Sequence, residues 1–241
     1  MFFAKAFFFL LIAAPFAAAQ FLAVASNGQP GFSATPGPVQ QTVCSSSGSS
    51  YTCTLGSTAS TSNVLTAIVG NINGATNTTS TVSSSGATWA LKAVEAVAAN
   101  GGDIEIWCAT LSGSPGTAIT ITQNASYALT YANVSEWSGQ TCTSDPVGNA
   151  GARATSTTPS PGAGQVATSP VLVIAAYSMT PTGSSLVSGP SNGFTAFSVP
   201  SGSGNVSFQA AWLLAPAGTY TTGWTVSASN SWVSVMKGMA Q

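Results

Sequence analysis

The chain has 241 residues, four Lys/Arg, five Asp/Glu, no His and a formal net charge of −1; only 4% of it is charged, against about 25% in an ordinary soluble domain. That excludes Ser-His-Asp and Cys-His machinery and any histidine-built metal site. So few cations cannot neutralise a run of phosphates, so nucleic acid is not an expected partner, and so few acids cannot build a calcium cage made mainly of carboxylates.

Residues 1–19 hold one cation, Lys5, then an apolar run over 6–14, and end in Ala17-Ala18-Ala19. A charged start, an apolar middle and an A-x-A exit read as a secretory signal peptide. Once it is cleaved, no other segment reaches the roughly 20 apolar residues of a membrane span. The expected product is secreted or held at the cell surface. Residues 20–38 are a Gly/Pro-bearing extended lead-in. A single β-sandwich domain is expected over 39–241, the alternative being two small tandem sandwiches split near residue 160.

Short β-type runs follow, separated by Gly, Pro, Asn and Ser clusters. Residues 39–44 and 51–55 read as a hairpin. Strands are then expected at 63–69, 89–97, 103–111, 118–123 and 127–136. Residues 117–122 alternate small-or-polar side chains with Ile, the pattern of a half-buried strand. Residues 87–99 have a helix-like pattern, but their β-branched neighbours and the hairpin signal Asn100-Gly101 favour a strand. Residues 144–169 form the longest irregular stretch, a linker or a crossover. Beyond it, strands are expected at 171–179, 194–199, 206–214, 220–228 and 232–236. Residues 171–176 are apolar on both faces and should be central.

Four cysteines in an exported chain favour disulfides. Of three connectivities, Cys44–Cys53 is preferred because it closes a Ser/Gly hairpin tip, which leaves Cys108–Cys142. Their spacing lacks the paired ligands of a zinc site, and no metal or cofactor is expected. The two halves also answer one another. Asn63-Val64-Leu65 matches Pro170-Val171-Leu172, and Asp103-Ile104-Glu105-Ile106 matches Asn205-Val206-Ser207-Phe208. Pro115-Gly116-Thr117 matches Ala217-Gly218-Thr219, and Ser126-Tyr127 matches Ser231-Trp232. Stacking two such sheets would bury both inner faces.

The order of Gly86-Ala87-Thr88-Trp89, Glu105-Ile106-Trp107, Pro115-Gly116-Thr117 and Glu136-Trp137-Ser138-Gly139 carries a resemblance, continued by Gly193-Phe194-Thr195 and the terminal Trp232-Val233-Ser234-Val235. Residues 60–241 resemble secreted bacterial surface modules, Ser/Thr/Gly-rich β-sandwiches of jelly-roll type whose function is mostly unassigned. The resemblance implies fold and export and brings no catalytic residues. The cysteines and the region before residue 60 depart from that pattern.

The fold class expected is therefore all-β, a jelly-roll-like antiparallel sandwich with an internal duplication. On a strand, Asp103, Glu105 and Trp107 share one face, an acidic pair beside an aromatic plate. With Glu136 and Trp137 they are the ligand-binding candidates; the bland reading is a solvated outer face. At least four of the six tryptophans should be core, with Trp107 the first choice for an exposed sugar platform. Asn77 and Asn124 head sequons in predicted loops, whereas Asn133 sits mid-strand. The leading functional expectation is an exported, non-enzymatic surface or matrix module that binds polysaccharide or another cell-surface ligand, or mediates adhesion. A first alternative is a fibre or coat subunit, whose self-association would use residues 21–25. A second is a glycoside hydrolase using Asp103, Glu105 or Glu136.

Overall fold

A chain rich in hydroxyl, β-branched and small side chains leaves its backbone groups to sheet ladders. The computed structural model describes residues 37–72, 80–96, 102–113, 115–124, 129–144, 150–162, 165–167, 170–180, 185–198 and 207–241. The signal-like residues 1–19, the segment 21–25, Asn77, Asn100-Gly101 and Asn205 lie outside them. The described residues contain seventeen strands and no helix.

The first eight strands are β1 (Gln40–Ser46), β2 (Ser50–Thr54), β3 (Val64–Ile72), β4 (Thr81–Ser83), β5 (Ala87–Ala96), β6 (Asp103–Leu111), β7 (Ala118–Thr122) and β8 (Leu129–Trp137). Five form a large sheet in the order β1-β8-β3-β6-β5 and three a small sheet, β2-β7-β4. Every pairing is antiparallel. The first four strands alternate between the two layers, which is jelly-roll connectivity.

The remaining strands are β9 (Ala150–Ser156), β10 (Gln165–Ala167), β11 (Val171–Met179), β12 (Leu186–Ser188), β13 (Thr195–Ala196), β14 (Phe208–Ala215), β15 (Gly218–Tyr220), β16 (Thr225–Val226) and β17 (Asn230–Ala240). Their large sheet runs β13-β14-β11-β17-β9, and β10-β15 and β12-β16 form the outer layer. Position for position, β1-β8-β3-β6-β5 is answered by β9-β17-β11-β14-β13. The segments that echo each other in sequence, around Val64 and Val171, are the two central strands.

The two large sheets face each other. Ile68, Ile104, Ile106, Tyr131 and Trp137 of the first interleave with Leu172, Ile174, Phe208, Val233 and Val235 of the second. Trp137 meets Phe197 and Trp212 edge-on, at centroid distances of 6.0 and 5.5 Å. The opposite face of each large sheet is also covered. Leu65, Ala67, Val69, Trp107 and Val134 pack under the small sheet through Ile119 and Ile121. Val173, Ala175 and Tyr177 pack under Phe194, Trp224 and Val226. The result is four layers of strand.

Three expectations need correction. Residues 39–44 and 51–55 are not a hairpin: β1 pairs with β8 and β2 with β7, because the chain crosses between layers there. Cys44–Cys53 therefore ties one layer to the other, while Cys108–Cys142 joins β6 to the loop after β8. The stretch 144–169 is not irregular throughout, since β9 pairs with β17 and β10 with β15. Its Ala-Gly-Ala-Arg-Ala-Thr-Ser sequence has little strand propensity and is held by the ladder of its neighbour. Residues 220–228 divide into β15 and β16. The helix-like pattern over 87–99 has a local cause. A bulge between Leu91 and Ala93 breaks the period-2 alternation, so Trp89 and Leu91 face the small sheet while Ala93 faces the second large sheet.

Gly70 in the middle of β3 is required by close approach. A Cβ there would stand 2.5 Å from the Phe208 ring, which stacks on Tyr131 at 5.9 Å. Gly70→Ala should destabilise the fold by about 1–3 kcal/mol through overpacking, read as a lower denaturation midpoint with an unchanged m-value.

Candidate functional site

The acids of β6 do not lie on a wet surface. Asp103 and Glu105 are 2% and 0% exposed and Trp107 9%, because their face of the large sheet is roofed by β4 and β7. Glu105 accepts the Ser80 backbone N–H at 2.8 Å and the Trp107 indole N–H at 2.7 Å. Asp103 Oδ1 accepts from the Asn71 amide, and Asn71 in turn accepts from Gln123 Nε2. Gln123 Oε1 has no hydrogen-bond partner in the protein; the protonated Asp103 carboxyl donates to Glu105, and the Ser80 and Tyr51 hydroxyls lie against Glu105 and Thr130. Burial, reinforced by the neighbouring Glu105 charge, pushes the Asp103 carboxyl up to about 8. Burial likewise raises Glu105 and the Tyr51 phenol.

Trp107 thus offers no plate to a ligand arriving from solvent, and neither does Trp137, which is 1% exposed on the opposite face. Trp224 and Trp232 are buried as well, and the half-buried tryptophans are Trp89 and Trp212. Of the sequon residues, Asn124 is exposed, and Asn133 is buried with its amide donating to Gln41 and to the Ser198 carbonyl.

Glu136 shares the face of Glu105 but not its surroundings. In register Glu105 lies beside Val69, which lies beside Ala132. Two strand spacings and four residues along β8 put Glu136 about 16 Å from Glu105. Glycosidase carboxyls are at most about 9.5 Å apart. The Glu136 carboxylate instead accepts Gln40 Nε2 at 2.6 Å, Ser60 N at 2.8 Å and Asn63 Nδ2 at 2.6 Å. It fastens the loop between β2 and β3.

That loop leads to a groove that sequence reasoning missed. The cavity has a volume of about 430 Å³. Thr88, Ala90 and Lys92 of β5 form one wall, with Cys108 and Thr110 of β6 beside them; Thr61 and Asn63 close one side, and residues 140–143 form the other wall. The 140–143 loop is rigidly held. Thr141 N donates to Ala240 O at 2.9 Å, Ala240 N donates to Thr143 O at 3.0 Å, and Cys142 is bonded to Cys108. Gln140 is 5% exposed, and neither its Nε2 nor its Oε1 has a partner in the protein. The signals in sequence were a cysteine placed just past β8 and a Gln between Gly139 and Thr141, too slight to mark a site.

Among the described residues no three His, Cys, Asp or Glu side chains are grouped to hold a metal, and no helix is long and apolar enough to cross a membrane. Comparison with known proteins gives no match to a family model, a curated protein or a solved structure.

The raised carboxyls set a pH dependence. Unfolded, both acids titrate near 4; folded, Asp103 holds its proton to about 8. Between these values the native state binds more protons than the unfolded state, so stability falls as pH rises. With divalent cations chelated, the melting temperature should be highest below about pH 4 and drop by several degrees towards pH 8. Asp103→Asn should flatten that slope.

Proposed function

We propose that this protein is an exported surface or matrix module whose groove between β5 and the 140–143 loop binds a neutral glycan segment. The observation that carries the reading is the groove's lining, in which hydroxyl and amide groups surround an apolar floor. Sugar hydroxyls both donate to and accept from such groups. Thr88, Thr110, Thr141 and Thr143 offer the hydroxyls, and Lys92 is the one charge in the lining. Val64, Ala90 and Leu111 give the C–H faces of a pyranose something to rest on.

Export is supported by the signal-like residues 1–19 and by two disulfides, which persist in oxidising compartments. The resemblance to secreted bacterial surface modules agrees with it. A hydrolytic reading draws no support from Glu105, whose oxygens are occupied beneath β4 and β7.

The test is a panel of neutral plant, fungal and bacterial polysaccharides followed by calorimetry on the best binder. Ala90→Trp, at an exposed groove position, should lower affinity by about tenfold or more, some 1.4 kcal/mol, without changing the melting temperature. An absence of binding across the panel, or a full-strength Ala90→Trp variant, would refute the groove.

A further inference from the structure

The second polar cluster lies inside the first jelly roll, roofed by its small sheet, and the groove does not use it. Its defining property is an excess of oxygen acceptors. Asp103 and Glu105 bring two carboxyls into an interior where every other lining group is neutral. Among the described residues the cations are elsewhere: Lys92 lines the groove, Arg153 meets Glu95 and Lys237 belongs to β17 of the other large sheet. The cluster's other oxygens are Gln123 Oε1, which has no partner, and those of Asp103, Ser80 and Tyr51, which meet only Glu105 and Thr130 beyond the Asn71 amide. They belong to one neighbourhood. Gln123 is bonded to Asn71 and Asn71 to Asp103; Ser80 N is bonded to Glu105; and Tyr51 feels the charge of both acids. Gln123 and Ser80 are 4% and 0% exposed, so bulk water does not serve their oxygens.

Buried carboxylates are tolerated when paired or when they hold a metal. We propose that Asp103 Oδ2 and Gln123 Oε1, helped by the hydroxyls of Ser80 and Tyr51, form a binding site for a hard cation, calcium foremost. The donor set is oxygen only, which suits calcium and not a thiolate- or imidazole-seeking metal. It differs from the carboxylate cage that the composition excludes, because a single carboxylate is joined by amide and hydroxyl oxygens in the shell. Glu105, with both oxygens already accepting N–H groups, balances charge from one position away. The role is structural: the cation would bind the small sheet, through Gln123, to the large sheet, through Asp103.

The full-length exported protein, treated with EDTA and dialysed to pH 8, is titrated with CaCl₂ while heat release and melting temperature are followed. MgCl₂ and NaCl serve as controls. Saturable binding in the range of extracellular calcium modules, about 10⁻⁴–10⁻³ M, with a rising melting temperature is expected. Asp103→Asn, an isosteric change, should abolish the calcium response, and Gln123→Met should weaken affinity by about tenfold. Gln123→Met also decides the matter if Asp103→Asn fails to fold. A melting temperature indifferent to calcium at pH 8, or a calcium response that survives both substitutions, would overturn the site.

Discussion

Both large sheets are covered on both faces, and most of the chain's character follows from that. A strand with one wet face can carry charges on alternate residues. β3 and β11 have no wet face. Along Val64–Asn71 and Val171–Met179 every side chain that can be placed is buried, so each must be apolar or find a partner within the stack. The polar ones do. Thr66 accepts the Trp137 indole N–H at 2.9 Å, Ser178 donates to the Asn71 carbonyl across the sheet interface at 3.0 Å, and Ser234 of the neighbouring β17 likewise donates to Ala176 O at 2.9 Å. Hydroxyls can meet such demands without the desolvation cost of a charge. A sequence rich in Ser and Thr and nearly without Lys and Glu is the composition that four stacked layers of strand require.

The scarcity of acids also explains why the few present have structural work. Glu136 gathers three donors and fixes the loop that shapes one side of the groove. Asp103 accepts from Asn71 of β3 in its own sheet, and Glu105 holds Ser80, next to β4 in the layer above. The Glu95–Arg153 contact, at 3.9 Å with the arginine 60% exposed, is a surface pair of little energetic weight. Glu136, Asp103 and Glu105 are placed where they organise backbone and amide groups.

The sequence made the strands and the duplication legible because apolar runs and their punctuation survive any packing arrangement. The continuous run 171–176 marked a central strand for a physical reason, burial on both sides. The site was less legible. In Asp103-Ile104-Glu105-Ile106-Trp107 the alternation separates two faces but does not say which is wet. In a two-layer sandwich the acidic face would be the outer one. Here a further layer covers it, and the clue was Trp107 on the acids' side. β9 was hidden for the opposite reason: an exposed edge strand borrows its conformation from β17 and needs no pattern of its own. The β5 bulge disguised a strand as a helix by shifting its faces one residue.

The groove lies along the β5 edge of the first large sheet. The two large sheets have equivalent strand orders, yet β5 has ten residues where its counterpart β13 has two. The long β5 gives the first sheet an edge with side chains to spare, namely Thr88, Ala90 and Lys92. The connection from β8 towards β9 passes that edge and is tied to both repeats, to β6 by Cys108–Cys142 and to the end of β17 by the Thr141, Thr143 and Ala240 hydrogen bonds. A loop anchored at both sides keeps its wall position without help from a ligand, and that lowers the ordering cost of binding. The groove thus lies where the long β5 edge and a loop fixed to both large sheets stand side by side.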